Sequence, residues 1–140
     1  MREDLVHDCF ERFGLELADD AIVQVISCEN KPWKQQLIME KLKPQALFSD
    51  VRDMGGFTAY DLISQDYIII PSPDMLWVGW MCTKHSVLFS GREGFLRCLD
   101  LGEGASGETF KGVEMFLQEQ RPRIIILENA TPTGFGTFDF

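Results

Sequence analysis

Short apolar runs alternate with longer amphipathic segments along most of the chain. Four runs are rich in apolar side chains and are typical of buried strands: residues 22–27, 46–48, 75–80 and 123–127. Apolar residues at helical spacing occupy the segments between them, chiefly residues 30–43 and 106–120. Strands that alternate with helices predict an α/β fold, in which a Rossmann-like parallel sheet is flanked by helices.

Capping and turn residues refine this pattern. Gly14 closes a predicted helix over residues 3–13, and Asn30 is a candidate cap for the helix that carries Pro32 in its first turn. Ser106 suits the start of the last helix, and residues 55–66 predict a short helix around residues 60–63. The sequence contains no internal repeat and no interdomain linker, so we expect residues 1–140 to form one domain.

Polar residues follow each of the four predicted strands. They lie at residues 28–30, 49–51, 79–86 and 128–129. In parallel sheets, ligands bind beyond the carboxyl ends of the strands. This edge would bring together two acidic groups suited to a nucleoside, Glu29 and Asp50, with a loop cysteine, Cys82, and a facing carboxylate, Glu128. The pattern therefore predicts a ligand site.

The composition limits the possible partners. Of 140 residues, 45% are hydrophobic, and the 11 Phe and 3 Trp favour a folded core over disorder. Thirteen basic residues stand against 22 acidic ones, which gives a net charge of −9. Proteins that bind nucleic acid mainly through its phosphates carry a basic patch. A nucleic-acid partner must therefore follow from a specific site, against the overall charge.

The sequence lacks the signatures of membrane, secreted and metal-binding proteins. No apolar run reaches the roughly eighteen residues that a membrane span needs, and the charged N-terminal segment has no signal-peptide core. No Cys-x-x-Cys pair occurs, and the histidines have no ligand spacing with the cysteines. We therefore expect an intracellular protein without a metal site. Three cysteines are expected to serve packing alone: Cys9, Cys28 and Cys98.

The residues at the predicted strand ends resemble the cytosine-5 DNA methyltransferases. Residues 79–86, Gly-Trp-Met-Cys-Thr-Lys-His-Ser, are similar to the family's nucleophile loop, Gly-x-Pro-Cys-x-x-x-Ser. Residues 128–130 stand where the family has Glu-Asn-Val, and residues 28–30 and 49–51 stand where it holds S-adenosylmethionine. The match runs from about residue 21 to residue 130, and the shared order and spacing make it more specific than any single motif.

The resemblance implies a chemical role for the loop cysteine. In this family a cysteine thiolate adds to cytosine carbon 6, while a carboxylic acid hydrogen-bonds and protonates ring nitrogen 3. Cys82 would be the nucleophile and Glu128 the ring partner, with Ser86 and Asn129 completing the catalytic set. The target base must leave the DNA stack, and residues 86–104 match the family's mobile segment that closes over it.

The resemblance also implies a cofactor site and a location. Glu29 would accept hydrogen bonds from the ribose of S-adenosylmethionine, and Asp50 would accept one from the adenine amino group. Asn30 and Val51 adjoin them. The partner would be DNA, with transfer RNA as an alternative substrate for the same reaction. A eukaryotic member would be nuclear, and any other would be cytoplasmic.

Each assignment has a simpler alternative. Cys82 could be a core thiol at a strand end, although Gly79 and Ser86 around it favour the nucleophile. Lys84 and His85 could lower its pKa or could be solvated loop charges. The carboxylates of Glu29 and Asp50 could cap helices or turns rather than bind a cofactor.

The sequence departs from the family in three ways. The glycine-rich cofactor loop, Phe-x-Gly-x-Gly, is not found, and neither are the later motifs with the target-recognition domain. Met81 stands where the family has the proline that stiffens the nucleophile loop. Two interpretations follow: a partial catalytic domain that is inactive alone, or a non-catalytic remnant that acts as a binding module.

Overall fold

The computed structural model of the chain describes residues 12–14, 21–80, 102 and 104–128. Within these residues there are six strands: β1 (Ile26–Cys28), β2 (Ala46–Phe48), β3 (Thr58–Asp61), β4 (Asp66–Ile69), β5 (Met75–Gly79) and β6 (Ile124–Glu128). Two α-helices accompany them, α1 (Pro32–Lys41) and α2 (Gly104–Gln120), with a 3-10 helix at Val51–Met54. The α/β class is confirmed.

The described strands form three separate two-stranded sheets. β1 pairs with β2 and β5 pairs with β6, both in parallel, whereas β3 and β4 form an antiparallel hairpin. The two pairs built from the four predicted strands, β1 with β2 and β5 with β6, are thus parallel, as the sequence predicted. A single continuous Rossmann-like sheet is not formed by these strands, and it remains a prediction.

The hydrophobic core lies around β2, whose three residues are all buried. β2 is held between β1 on one edge and the start of the hairpin loop on the other, where the Leu62 amide donates to the Leu47 carbonyl over 2.8 Å. Side chains from the 3-10 helix, the hairpin and α2 close the core, namely Met54, Ala59, Ile70 and Phe116. Ile26 and Leu76 pack against it from β1 and β5.

Asp61 is a buried carboxylate that ties the hairpin to β2. Its side chain accepts hydrogen bonds from the amides of Leu47 (2.8 Å), Ser64 (2.8 Å) and Ile63 (3.2 Å). Burial alone would raise the pKa of Asp61, but these backbone donors stabilise the charged form and leave the pKa below its usual value. The residue is therefore a charged structural anchor.

The predicted short helix around residues 60–63 is wrong, because those residues lie in and just after β3 of the hairpin. Burial alternates along β3, which is the period of a strand and not of a helix. Gln65 has a φ of 57°, so the chain turns through a left-handed residue before β4. Tyr60 and Tyr67 face each other across the strands with ring centroids 5.5 Å apart.

Helix α1 begins with Pro32, as predicted, but Asn30 is not its cap. Lys31 occupies the cap position without a side-chain cap hydrogen bond, and its carbonyl accepts from the amides of Lys34 and Gln35 at 2.9 Å. The predicted apolar face of α1 is largely uncovered, since Trp33 is 67% exposed and the helix contains no buried residue. α1 thus contributes no buried side chain to the core.

Helix α2 packs closely on the 3-10 helix. It begins at Gly104, two residues before the predicted start at Ser106, and it buries Val113 and Phe116 as its spacing predicted. Gly112 allows the close approach, because a Cβ there would lie 3.0 Å from the backbone nitrogen of Arg52. The helix therefore brings its first turns to the end of β2.

The remaining boundaries differ modestly from the sequence prediction. β1 begins at Ile26 rather than at residue 22, and β6 spans Ile124–Glu128 rather than residues 123–127. The predicted helix over residues 3–13 lies almost entirely outside the described residues. Gly14 has a φ of 67°, which is the conformation expected of a residue that ends a helix.

Candidate functional site: a pocket at the carboxyl ends of three strands

An open pocket of about 660 Å³ lies where β1, β2 and β5 end. Its mouth is lined by the last residues of β1 and β5, by residues that follow β1, β2 and β5, and by the first turns of α2: Cys28, Glu29, Asn30, Asp50, Val51, Arg52, Gly79, Trp80, Ala105 and Glu108. All four residues that the sequence assigned to the cofactor are in this set. The structure therefore brings two separate segments, residues 28–30 and 49–51, to one cavity.

Glu29 is held at the mouth by its own neighbours. Its Oε1 accepts the Lys31 amide at 2.9 Å, and its Oε2 lies 3.4 Å from Nζ of Lys34. The Glu29 carbonyl also accepts from the Gln35 side chain at 2.6 Å. The carboxylate is thus fixed at the start of α1, while each oxygen keeps a lone pair for a further donor.

Asp50 forms a tight pair with Arg52. The Arg52 guanidinium donates to both carboxylate oxygens of Asp50, at 2.6 to 3.0 Å, and the Arg52 amide donates to Oδ1 at 2.9 Å. These hydrogen bonds with Arg52 lower the pKa of Asp50, although partial burial opposes them. Asp50 is therefore charged. Its carboxylate also caps the 3-10 helix, which was the structural alternative to a cofactor role for this residue.

Arg52 also joins this strand end to α2. Its Nη1 donates to Glu108 Oε2 at 2.8 Å, so one guanidinium bridges two carboxylates. Asp50, and secondarily Glu108, raise the pKa of Arg52 above its usual range. The bridge links the first turns of α2 to the mouth of the pocket through an exposed ion pair.

Cys28 lies on the pocket wall and not in the core, so its predicted packing role is wrong. Desolvation, with the negative charges of Asp50, Glu29 and Asp53, raises the pKa of the Cys28 thiol to about 12. The residue keeps exposed surface in the open pocket. The three carboxylates act in the same direction as desolvation, because a thiolate there would add a like charge. Cys28 is therefore a neutral thiol and not a nucleophile at neutral pH.

Glu128 stands at the end of β6, directly opposite Gly79 at the end of β5. A Cβ on Gly79 would lie 2.8 Å from Oε2 of Glu128, so the glycine leaves room for the carboxylate. Glu128 is exposed and is not among the residues that line the pocket. It thus lies beside the point from which the chain continues toward Cys82.

The other predicted catalytic residues, Cys82, Ser86 and Asn129, lie outside the described residues, as do Lys84 and His85. Their proximity to Glu128 therefore stays a prediction.

Sequence reasoning missed the part that Arg52 plays at the pocket mouth. The signal was present as an opposite charge two residues after Asp50, at the start of a helical turn. The link to Glu108 had no comparable signal, because 56 residues separate the two partners. Such a contact depends on how α2 packs and not on local spacing.

Among the described residues, no group of three or more His, Cys, Asp or Glu could hold a metal ion. None of the helices in that part of the chain is long and apolar enough to cross a membrane.

Comparison with known proteins points to the family that the motifs resemble. The chain is 33% identical over 116 residues to the DNA (cytosine-5-)-methyltransferase DMT5 of Cryptococcus neoformans var. grubii. The aligned part is 83% of this chain but only 4% of the fungal protein. No protein-family model matches the chain. Over most of its length, the chain is thus similar to a small part of a fungal DNA (cytosine-5-)-methyltransferase.

Proposed function

We propose that the chain is part of a cytosine-5 DNA methyltransferase catalytic domain, and that the pocket mouth binds the adenosine portion of S-adenosylmethionine. One observation carries the proposal: Glu29 and Asp50, assigned from sequence to ribose and adenine, line the same pocket. The similarity to the fungal enzyme supports the same family. DNA as substrate, and a nuclear location in a eukaryote, rest on that similarity alone.

The mouth fits an adenosine group chemically. Glu29 has lone pairs for ribose hydroxyls, and each Asp50 oxygen keeps acceptor capacity beyond its bonds to Arg52. Val51 and Trp77 add apolar surface to the lining, which suits a purine ring. Since Arg52 neutralises Asp50, the site holds a neutral adenine better than it would hold a second cation.

The chemistry proposed for the reacting residues is the one that the resemblance to the family implies. Bound S-adenosylmethionine would supply the methyl group. Cys82 would add through its sulfur to cytosine carbon 6, and Glu128 would hold a proton at ring nitrogen 3, so that carbon 5 becomes nucleophilic. After loss of the carbon 5 proton to a base, the Cys82–carbon 6 bond breaks and the thiolate is regenerated. The position of Glu128 at the end of β6 is compatible with this role.

Cofactor binding tests the proposal directly. NMR titration of the chain with S-adenosylmethionine should shift amides at the mouth, with an affinity on the order of millimolar, or ~4 kcal/mol, because the glycine-rich loop is not found. Asp50→Ala and Glu29→Ala should each weaken binding about tenfold. Asp53→Ala is the matched control, since Asp53 is exposed and does not line the pocket. Equal affinity in all three variants would contradict the proposal.

The nucleophile needs its own test, with flanking segments from the fungal relative fused to the chain. This fusion should form a covalent adduct with DNA that contains 5-fluorocytosine. Cys82→Ala should abolish the adduct, and Cys98→Ala should leave it intact. An adduct that survives Cys82→Ala assigns the nucleophile elsewhere.

A non-catalytic binding module is the second candidate, and Met81 in place of the family's proline favours it. A binding module would bind the cofactor or another ligand at the mouth, and the fused protein would form no covalent adduct with DNA that contains 5-fluorocytosine. The same adduct assay, carried out with transfer RNA and with DNA in parallel, shows which of the two nucleic acids is the substrate.

A further inference from the structure

Arg52 occupies most of the acceptor capacity of Asp50, the carboxylate proposed to meet adenine. Nε of Arg52 lies 3.0 Å from both oxygens of Asp50, and Nη2 donates to Oδ2 at 2.6 Å. The Arg52 amide donates to Oδ1 at 2.9 Å. A carboxylate offers about four lone-pair positions. Three donor groups of one residue therefore take up most of them, and a donor from a ligand has to compete for what is left.

The contact between Arg52 and Asp50 has two separable parts. The amide bond to Oδ1 is the cap of the 3-10 helix, and any residue at position 52 except proline supplies it. The guanidinium bonds require the arginine side chain and carry its positive charge. Removal of the side chain therefore frees Oδ2, while the backbone bond continues to orient Asp50 at the mouth.

Glu108 binds the same guanidinium from α2. Its Oε2 accepts from Nη1 of Arg52 at 2.8 Å, whereas Asp50 accepts from Nε and Nη2. All three residues line the pocket, and the side chains of Arg52 and Glu108 are about half exposed. One positive charge is thus shared between two carboxylates, so attraction to Glu108 opposes a closer approach of the guanidinium to Asp50.

The backbone of Arg52 is packed closely against α2. A Cβ on Gly112 would lie 3.0 Å from both the Cα and the backbone nitrogen of Arg52. The balance between the two carboxylates therefore depends on the guanidinium group and not on a shift of the 3-10 helix.

We propose that Arg52 competes with the adenine amino group for Asp50, and that Glu108 relieves this competition by holding part of the guanidinium. This control rests on the proposed adenosine site and sets its affinity. Without the guanidinium, Asp50 is a fully charged and more accessible acceptor, which forms a stronger hydrogen bond to adenine. Without Glu108, the guanidinium is bonded to Asp50 alone, and adenine meets stronger competition.

The test measures binding of S-adenosylhomocysteine to the full 140-residue chain by NMR titration of the mouth amides. This ligand lacks the sulfonium charge, so charge changes at the mouth affect it chiefly through Asp50. Arg52→Ala should bind about threefold more tightly and Glu108→Ala about threefold more weakly, as expected for exposed ion pairs. In the Arg52→Ala chain, Glu108→Ala should have no further effect, because Glu108 acts only through Arg52.

Two matched variants and a second ligand serve as controls. Arg121→Ala and Glu119→Ala remove the same charges at the far end of α2, outside the pocket, and should leave the affinity unchanged. S-inosylhomocysteine has an oxygen in place of the adenine amino group, so it offers Asp50 no donor at that position. Arg52→Ala should not tighten the binding of this ligand.

Opposite shifts in Arg52→Ala and Glu108→Ala would support the competition. Shifts in the same direction, or none, would overturn it but leave the adenosine site standing, if the unchanged chain binds and Asp50→Ala weakens binding. Failure of the unchanged chain to bind, or no effect of Asp50→Ala, would overturn both. Equal tightening of the two ligands by Arg52→Ala would mean that Arg52 obstructs the mouth, and a Glu108→Ala effect that persists without Arg52 would mean that Glu108 contacts the ligand; either result overturns the competition.

Discussion

β2 and β6 are both apolar parallel strands, yet they occupy opposite environments. Ala46, Leu47 and Phe48 in β2 are at most 1% exposed, whereas Ile124 to Leu127 in β6 are 38% to 56% exposed. The difference lies in their neighbours among the described residues, where β2 has β1, the hairpin and two helical segments around it, and β6 has β5. The apolar character of a strand therefore indicates that it needs cover, and not which part of the molecule covers it.

The largest expected effect comes from shortening a buried side chain in β2. Phe48→Ala should lower the free energy of unfolding by about 3–5 kcal/mol, because it opens a cavity in a packed core. Leu127→Ala is the matched change in β6, and as an exposed site it should cost under ~1 kcal/mol. Urea denaturation of both variants measures the two values. Similar losses would show that β6 is covered in solution.

Removal of the Asp61 carboxylate should come next in size. Asp61→Ala leaves the buried Leu47 amide without its acceptor and should cost about 3 kcal/mol. Asp66→Ala at the other end of the hairpin turn removes only an exposed contact with the Tyr67 amide and should cost under ~0.5 kcal/mol. The same denaturation assay compares them, and a near-equal cost would mean that Asp61 does not anchor the hairpin to β2.

A smaller effect is expected from pH. The pKa values of Asp61 and Asp50 are both lowered in the folded chain, so the unfolded chain binds more protons between the folded and unfolded values. Their stabilisation is therefore complete above about pH 4, the ordinary value for Asp, and it is lost as pH falls through the lower folded values. Asp61→Asn should reduce the fall in the free energy of unfolding between about pH 4 and lower pH, measured by urea denaturation at a series of pH values. An unchanged pH dependence would mean that other carboxylates cause that fall.

The smallest effect on stability should come from Arg52→Ala, because its bonds to Asp50 and Glu108 are exposed and screened by solvent. Its measurable result is instead a rise in the pKa of Asp50 toward the ordinary value, followed by NMR titration of the carboxyl carbon. Arg121→Ala, at the far end of α2, should leave that pKa unchanged. A constant Asp50 pKa in both variants would contradict the pairing.

The sequence predicted the elements whose signals are local. The spacing of Val113 and Phe116 predicted the buried face of α2, and the run Ala46–Phe48 predicted a core strand. Glu29 and Asp50 were placed at one ligand edge by the rule for parallel strand ends, and both line the pocket.

The two failures have different physical causes. Tyr60 and Ile63 suggested a helix, but these residues lie in a hairpin whose Asp61 carboxylate accepts from the amide of the distant Leu47. A single sequence does not display such a long-range partner. At the start of α1 the partners are local, since the Glu29 carboxylate accepts from the Lys31 amide and the Lys31 carbonyl accepts from the amides of Lys34 and Gln35.

The uncovered strand β6 also has a colloidal consequence. Ile124 to Leu127 is a run without charge or proline, flanked by Arg123 and Glu128, and such exposed runs nucleate cross-β aggregates. Mutual repulsion from the net charge of −9 opposes this self-association. Salt weakens that repulsion, with a screening length of about 8 Å at physiological ionic strength. The shelf life of the dissolved chain should therefore shorten as ionic strength rises, unless another polypeptide covers β6.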